Sequence, residues 1–269
     1  MNSQILDKTI EYVSVLQRLG KREVSLSKAT LHALNHLRMA RKPMEASAPH
    51  AQKLELAPST GNKEKDLAAL RERAMVCVKC PHLARTRKQV VFGVGNPNTE
   101  IMFVGEAPGA DEDEQGEPFV GAAGKLLTKM IEAMGLTRQQ IYIGNVLKCR
   151  PDMPAGSSGN RKPTHKEMET CLPYLRAQIA IIKPKVIVAL GATALQGLTG
   201  NPKAAMSKVR GIWQEFEGIP FMPTYHPAYL LYDQSISNKR IVWEDLLKVM
   251  ERTAMPISEK QKNFFLKAL

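Results

Sequence analysis

Four apolar runs of strand type are each followed by a polar residue or a glycine. Glu106, Asn145 and His226 stand at three of these ends, and Gly191 stands at the fourth. A carboxylate, an amide and an imidazole can between them move protons and form directed hydrogen bonds. Because the carboxyl ends of parallel strands meet where open α/β sheets bind their ligands, the sequence predicts that these residues converge on one crevice.

An acidic, glycine-rich segment, residues 105–124, stands out in a basic chain. Six Asp and Glu residues lie between Glu106 and Glu117, so we expect mutual repulsion to raise the pKa of some carboxyl groups, or the segment to serve an electrostatic task. The alternative is a solvated surface loop. Its position between a predicted strand and a helical pattern over 125–134 favours a functional role. It is not a GxxxxGK[ST] phosphate loop, because Phe119 stands where that motif requires glycine.

The four cysteines are candidate ligands for a metal or a cluster. Cys77 and Cys80 form a CxxC pair, and Cys149 and Cys171 follow later in the chain. Disulfides are rare in the cytosol, so this set indicates metal binding before cross-linking. Four thiolates hold either zinc or an iron–sulfur cluster, and the count does not separate the two. The alternative is four unrelated buried thiols.

The overall charge predicts a polyanionic partner. The 38 Lys and Arg against 26 Asp and Glu give a net charge of +12, which fits DNA, RNA or an anionic membrane. Two basic runs, Arg85–Lys88 and Arg161–Lys162, are predicted to contact phosphates. The chain begins without a cationic flank and apolar core, and nowhere do 18 apolar residues run together. We therefore expect neither secretion nor membrane spanning, and a cytoplasmic location.

The elements that position these residues alternate between strand and helix. The predicted strands are 101–104, 141–146, 186–190 and 219–223. Helical patterns separate most of them, which predicts an α/β fold with three layers, α/β/α, around a short four-stranded parallel sheet. Apolar periodicity and composition divide the chain into four parts: 1–42, a helical N-terminal extension; 43–64, a flexible linker; 65–255, the main domain; and 256–269, a C-terminal tail.

Four motifs together resemble one known enzyme family. They are Gly105–Gly109 (GEAPG), Glu117–Gly121 (EPFVG), Gly144–Pro151 (GNVLKCRP) and His226–Leu231 (HPAYLL). In this order, interleaved with four cysteines, they resemble the family-four uracil-DNA glycosylases, the iron–sulfur branch of that superfamily, over residues 70–252. The resemblance implies the superfamily's four-stranded parallel sheet between helices. It also implies a structural [4Fe–4S] cluster held by Cys77, Cys80, Cys149 and Cys171, with zinc as the alternative.

The resemblance also implies how uracil is recognised. An enzyme that cleaves a base from duplex DNA must extrude the base, stack on it and read its polar edge. Phe119 would provide the stacking face. Asn145 would pair with O4 and N3–H of uracil and reject the reversed pattern of cytosine. Backbone groups of Ala107 and Pro108 would line the uracil site.

Two residues are then expected to act on the bond itself. His226 would donate a hydrogen bond toward uracil O2 and stabilise the leaving anion. Glu106 would position the attacking water and offset the positive charge that develops on the sugar. Leu230 or a neighbour would fill the gap left by the extruded base. Glu112 would crowd C5 of the base, and Tyr232 stands where family members often carry Arg.

The sequence therefore predicts a monofunctional DNA glycosylase that removes uracil to leave an abasic site, the first step of base excision repair. Its substrate is expected to be uracil-containing DNA, single- or double-stranded, met by a monomer in the prokaryotic cytoplasm at the nucleoid, with no membrane partner. Ordinary turnover is expected rather than covalent capture through His165, because its segment lacks an Arg-rich stretch. Two alternatives remain: a noncatalytic, cluster-stabilised nucleic-acid-binding module, and a redox protein using its CxxC pair.

Overall fold

A six-stranded mixed sheet lies at the centre of the described chain. The computed structural model describes residues 59–153 and 159–266. The predicted N-terminal extension, 1–42, and most of the predicted linker, 43–64, lie outside these residues. The strands are β1 Val94–Gly95, β2 Ile101–Gly105, β3 Tyr142–Asn145, β4 Val186–Leu190, β5 Gln214–Phe216 and β6 Ile219–Thr224. Their order across the sheet is β1-β3-β2-β4-β6-β5.

The α/β class is confirmed, but the prediction of a four-stranded, wholly parallel sheet is wrong. The four predicted strands are the parallel ones, β3, β2, β4 and β6, and a short antiparallel strand flanks them on each side. The hairpin between β5 and β6 turns at Glu217 and Gly218, both with positive φ, as the tight primed hairpin turns require. β1 and β5 contain only two and three residues, too few to show a strand pattern.

Helices cover both faces of this sheet. They are α1 Lys63–Met75, α2 Pro81–Thr86, α3 Ala110–Gln115, α4 Ala122–Ala133, α5 His165–Ile182, α6 Ala192–Thr199, α7 Met206–Val209, α8 Pro227–Tyr232, α9 Ile236–Arg252 and α10 Glu259–Lys262, with a 3₁₀ turn at Arg138–Gln140. Among the described residues, no helix combines the length and the apolarity needed to cross a membrane.

Successive residues of β2 point to opposite faces and enter two separate apolar cores. Met102 joins the core formed with α1, α5 and α6, whereas Phe103 joins the core formed with α4 and α9. Both residues are fully buried, and burying a side chain of this size contributes roughly 1.5–3 kcal/mol. The sheet is therefore fixed between two helical layers, with its strand ends free to carry polar residues.

Residues near the end of the described chain pack onto the second of these cores. Phe264 packs against Trp243 of α9, whose Nε1–H donates to the carbonyl oxygen of Gln261 (2.6 Å). The Gln261 side-chain amide in turn donates to the carbonyl oxygen of Ala133 at the end of α4 (2.9 Å). The described part of the predicted tail, 256–269, thus joins the α4–α9 layer.

Candidate active site

At the ends of β2 and β3, two predicted site residues, Asn145 and Phe119, approach each other next to Gly105. Gly105, the last residue of β2, pairs in register with Asn145, the last residue of β3. A Cβ added at Gly105 would lie 2.4 Å from Oδ1 of Asn145 and 2.5 Å from Cζ of Phe119. No real Cβ makes contacts this short, so only glycine lets the amide and the phenyl ring meet here.

Phe119 forms one wall of this site in a strained backbone conformation. Its φ is +56°, in the left-handed region that bulky residues rarely adopt, and its ring is buried. The ring stacks on the imidazole of His226, with 5.6 Å between centroids and 30° between planes. Gly124 of α4 packs directly against the Phe119 carbonyl group and leaves no space for a side chain there. Strain of this kind is often stored at functional sites.

Asn145 presents an unsatisfied acceptor. The residue is only 2% exposed, and its Oδ1 is buried without a hydrogen-bond partner. Leaving such a group unpaired costs about 1–3 kcal/mol, so buried side-chain amides are normally satisfied. The position of Oδ1, beside the Phe119 ring, indicates that a ligand supplies the missing donor.

His226 lies two residues beyond β6 and caps the N-terminus of α8. Its Nδ1 accepts the backbone N–H of Ala228 (3.1 Å). Burial lowers the pKa of His226 to about 4, and the negative charge of Glu112 opposes this shift only in part. The ring is therefore neutral at pH 7. Because Nδ1 is an acceptor, the single ring proton is assigned to Nε2, which can donate.

Glu106 follows β2 directly and is half-buried. Burial raises the pKa of its carboxyl group, while the hydroxyl of Thr193 and the positive charge of Lys162 act in the opposite direction. Backbone hydrogen bonds from Val146 and Leu147 to the carbonyl oxygens of Gly105 and Glu106, both 3.0 Å, fix this turn against the end of β3. A carboxylate of increased basicity suits the orientation of a water molecule.

The rest of the acidic segment stabilises its own backbone. It contains the helix α3 rather than a continuous loop. Glu112 accepts the backbone N–H groups of Gly109, Val120 and Gly121, each at 3.0 Å. Asp113 is buried and accepts the backbone N–H of Lys88. The expectation of mutual carboxylate repulsion is thus wrong for Glu106, whose pKa is raised by burial.

Ala107 and Pro108 lie where the predicted site requires them, on the segment that leads from Glu106 into α3. Pro108 is buried, and Ala107 is half-buried against the core that contains Met102. Their contact with a base stays a prediction.

The four cysteines come together beside the ends of α1, α2 and α5. All are free thiols, and Cys149 and Cys171 are buried. Burial raises the pKa of Cys80, and the neighbouring thiols Cys149 and Cys77 raise it further, which shows their proximity. The backbone N–H of Lys148 donates to Sγ of Cys171 (3.2 Å). The region therefore offers four sulfur donors and N–H groups directed at them.

The four free thiols are ligands that both a zinc ion and an iron–sulfur cluster use, so the donor set fits either group. Within the described residues, the only three ligand atoms of His, Cys, Asp or Glu that lie within 4.8 Å of one another belong to His82, Asp152 and Glu167.

The group of His82, Asp152 and Glu167 already contains a cation. Arg161 pairs with Asp152 and donates to both carboxylate oxygens of Glu167, at 2.7 and 3.0 Å. His82 shares the same carboxylate at 2.7 Å. These bonds connect α2, the segment after β3 and the first turn of α5, so the group cross-links three segments of the fold.

Three residues of the predicted phosphate-binding runs have partners within the fold, and their contact with phosphates stays a prediction. Arg161 pairs with Asp152 and Glu167. Arg87 donates to Sγ of Cys149 (3.0 Å) and to the carbonyl oxygen of Cys77 (2.6 Å). Lys88 pairs with Glu114. Arg85 and Lys162 remain exposed and keep the predicted role open.

The sequence also missed residues that support the site. Thr193 lies two residues past Gly191, at the carboxyl end of β4, and the rule applied to the other strand ends could have found it. Lys148 is buried behind Asn145 and donates to its carbonyl oxygen (2.8 Å). Leu230, the first candidate to fill the DNA gap, is buried in the α4–α9 core, whereas Leu231 is 39% exposed. His165 pairs with Glu169 one turn along α5.

Comparison with known proteins shows the family to which the chain belongs. Residues 92–247 match the model of the uracil DNA glycosylase superfamily. The chain is 47% identical over 188 residues to the type-4 uracil-DNA glycosylase of Thermotoga maritima, which covers 69% of this chain and 94% of that protein. The type-4 enzyme of Sulfurisphaera tokodaii is 46% identical over 71% of this chain and 86% of its own length. The type-4 enzyme of Archaeoglobus fulgidus is 48% identical over 59% and 79%. The chain therefore belongs to the uracil-DNA glycosylase superfamily and, within it, to the type-4 family, the family-four branch.

Proposed function

We propose that this protein is a DNA glycosylase that hydrolyses the bond between uracil and deoxyribose in DNA and leaves an abasic site. The observation that carries the proposal is the buried, unpartnered Oδ1 of Asn145. It lies near Phe119, whose ring stacks on the neutral His226, and Asn145 pairs in register with Gly105, which precedes Glu106. The type-4 relatives are uracil-DNA glycosylases by name, which supports the same substrate for this chain. The product places the enzyme at the first step of base excision repair.

Base recognition rests on the amide of Asn145. Uracil offers N3–H as a donor and O4 as an acceptor, which match the Oδ1 acceptor and the Nδ2 donor of one amide. Cytosine reverses both, so it would leave two buried groups unpaired. Phe119 covers the face of the extruded base, and the backbone of Ala107 and Pro108 lines its edge.

His226 stabilises the leaving group. As the bond between C1′ and N1 of uracil lengthens, its electron pair moves onto the base, and negative charge develops on O2. The Nε2–H of the neutral ring donates to this oxygen. A preorganised donor of this kind contributes about 3 kcal/mol to transition-state stabilisation. A neutral donor also keeps its proton, so the base departs as an anion held by a hydrogen bond.

Glu106 acts on the sugar side of the same bond. Its carboxylate orients a water molecule toward C1′ and offsets the positive charge that develops on the deoxyribose. The water oxygen forms the new bond to C1′, and its proton passes to the carboxylate. Burial strengthens this base, because it raises the pKa of Glu106.

In this proposal Cys77, Cys80, Cys149 and Cys171 would hold a [4Fe–4S] cluster, which the type-4 family and the four free thiols support, with zinc as the alternative. Such a cluster supplies a structural cross-link between the segment after α1, the segment after β3 and α5. The chemistry of base removal needs no electron transfer, so the reaction is assigned to the side chains at the strand ends.

In this proposal the protein binds its DNA substrate as a monomer. Leu231 is the residue proposed to occupy the gap left by the extruded uracil, because Leu230 is buried. The net charge of +12 supports binding to the phosphate backbone of single- or double-stranded DNA in the cytoplasm. His165, bound to Glu169, is assigned no covalent role, so the enzyme turns over and releases its product.

The test is base release from a uracil-containing oligonucleotide, followed by alkaline cleavage of the abasic strand. We expect strand scission with the uracil oligonucleotide and none with the same sequence containing thymine. Glu106→Gln should lose turnover but keep DNA affinity. Absence of scission at stoichiometric enzyme, with DNA affinity intact, would instead support the noncatalytic nucleic-acid-binding module. Iron content and visible absorption of the purified protein distinguish the cluster from zinc.

A further inference from the structure

Three tyrosines lie at positions 225, 229 and 232, from just before α8 to its last residue. Within α8, Tyr229 and Tyr232 are three residues apart and so lie on one side of the helix. The rings of Tyr225 and Tyr229 are stacked, with 4.5 Å between centroids and 29° between planes. Tyr232, one turn further on, is 93% exposed. We refer to Tyr225, Tyr229 and Tyr232 as the tyrosine stripe.

The far end of this stripe is exposed beyond what packing requires. Leu230 anchors α8 in the core, so the fold does not need the neighbouring side chains for stability. Leu231 and Tyr232 nevertheless expose their apolar surface side by side. Adjacent exposed large side chains commonly mark a binding surface, whereas single ones do not.

The stripe leads directly away from the proposed catalytic site. His226, the N-cap of α8, lies between Tyr225 and Tyr229 in sequence, and its ring stacks on Phe119. Six helical residues span about 9 Å. Successive nucleotides of a stacked strand are about 3.4 Å apart, so α8 is as long as two or three nucleotides. The stripe therefore lies within reach of the bases that flank an extruded uracil.

Three charged groups adjoin the stripe, and hydrogen bonds or ion pairs within the fold engage each of them. The guanidinium group of Arg210 lies 5.8 Å from the Tyr225 ring centroid and is held in place by Asp245 (2.7 Å). Asp245 also accepts the hydroxyl of Thr224 (2.7 Å), so its negative charge is satisfied inside the fold. Asp233, which follows the stripe, accepts hydrogen bonds from Ser235 and Asn238 at the start of α9.

We infer that the tyrosine stripe is a stacking platform for the unpaired bases next to the target uracil in single-stranded DNA. This inference rests on the proposed function. Every base has a π face, so stacking of this kind tolerates any flanking sequence. In a duplex, the neighbouring base pairs already cover those faces, so the tyrosine rings have no free base face on which to stack. In a single strand, the same rings replace the lost stacking and hold the strand at the site.

The experiment compares kcat/KM on matched single- and double-stranded uracil oligonucleotides. Tyr232→Ala should lower kcat/KM on the single strand about tenfold, mainly through KM, because it removes stacking on one base. Tyr229→Ala/Tyr232→Ala should lower it further. Both variants should change kcat/KM on the duplex less than threefold. Tyr232→Phe keeps the ring and should behave as the unmodified protein.

Two matched controls remove exposed apolar side chains elsewhere. Ile236→Ala, at the start of α9, and Phe265→Ala, near the chain end, should leave both substrates unaffected. Equal losses on single strand and duplex, or no loss with Tyr232→Ala, would overturn the inference. Fluorescence anisotropy with a labelled, uracil-free single strand measures stacking without chemistry. If the unmodified protein releases no uracil, the proposed function fails, while this binding measurement still tests the stripe by itself.

Discussion

Two sets of buried polar groups lie around the end of β3, and they differ in how completely they are bonded. On the crevice side, Oδ1 of Asn145 has no partner. Behind the strand, Nζ of Lys148 donates to the Asn145 carbonyl oxygen (2.8 Å) and to Oε1 of Gln178 (2.6 Å). The Gln178 amide then donates to the Phe92 carbonyl oxygen and the Tyr142 hydroxyl, both 2.9 Å.

This difference distinguishes a structural network from a binding site. We refer to the hydrogen bonds of Lys148 and Gln178 as the frame. Burying the Lys148 ammonium group is unfavourable and lowers its pKa to about 8, so its hydrogen bonds must compensate for lost hydration. The network keeps one orientation of the Asn145 backbone. On the opposite side, the amide that this backbone carries is left for a ligand. Removing a crevice group should therefore affect the reaction, and removing a network group should affect stability.

Glu106→Gln should have the largest effect on the reaction. Removing the carboxylate eliminates the base that orients water and the charge that offsets the sugar cation, so kcat should fall by roughly 10²–10⁴. Glu114→Gln is the matched control, because Glu114 lies in the same acidic segment but pairs with Lys88 at the surface. Single-turnover uracil release measures both. A similar loss in the two variants would contradict the assignment.

His226→Ala should lower kcat by about 10²–10³, with little change in DNA affinity, because the donated hydrogen bond strengthens only as charge develops on the base. His165→Ala serves as the control, since that histidine pairs with Glu169 on α5. Anisotropy and single-turnover kinetics give the two quantities. A loss confined to DNA affinity would assign His226 to binding.

Lys148→Met should act mainly on stability. The apolar side chain leaves the Asn145 carbonyl oxygen and Oε1 of Gln178 without this donor, which should lower the free energy of unfolding by about 1–3 kcal/mol. Lys129→Met, at an exposed position of α4, is the control. Thermal unfolding, with iron content measured alongside, tests it. Unchanged stability with uracil release lost would move Lys148 from the frame into the reaction.

The pH dependence of kcat/KM should show an acid limb set by Glu106. The reaction needs the Glu106 carboxylate and the neutral His226 ring, and each form predominates above the pKa of its group. Since the pKa of His226 is lowered to about 4 and that of Glu106 is raised, activity should fall about tenfold per pH unit below the Glu106 pKa. Residual activity of Glu106→Gln should lack this limb. An increase on acidification from pH 7 to 6 would point to an imidazolium acid.

Sequence reasoning found the crevice but not the frame. Glu106, Asn145 and His226 follow long apolar runs, and parallel topology forces such ends to one edge. The buried position of Lys148 and the half-buried position of Arg87 could not be predicted, because a basic residue in a polar stretch gives the same pattern whether it is solvated or turned inward. The short edge strand β5 depends on the turn at Glu217 and Gly218 rather than on periodicity. Whether Leu230 or Leu231 is exposed depends on the phase of α8, which only packing decides.

The substitution Asn145→Asp tests most directly whether the unpaired amide reads the base. A carboxylate at this position repels O4 of uracil and accepts the N4–H₂ group of cytosine. Release of uracil and of cytosine is measured from otherwise identical single-stranded oligonucleotides, for the unmodified protein and the variant. The uracil-to-cytosine ratio should fall at least tenfold in the variant. An unchanged ratio, with the fold intact by thermal unfolding, would contradict base reading by Asn145.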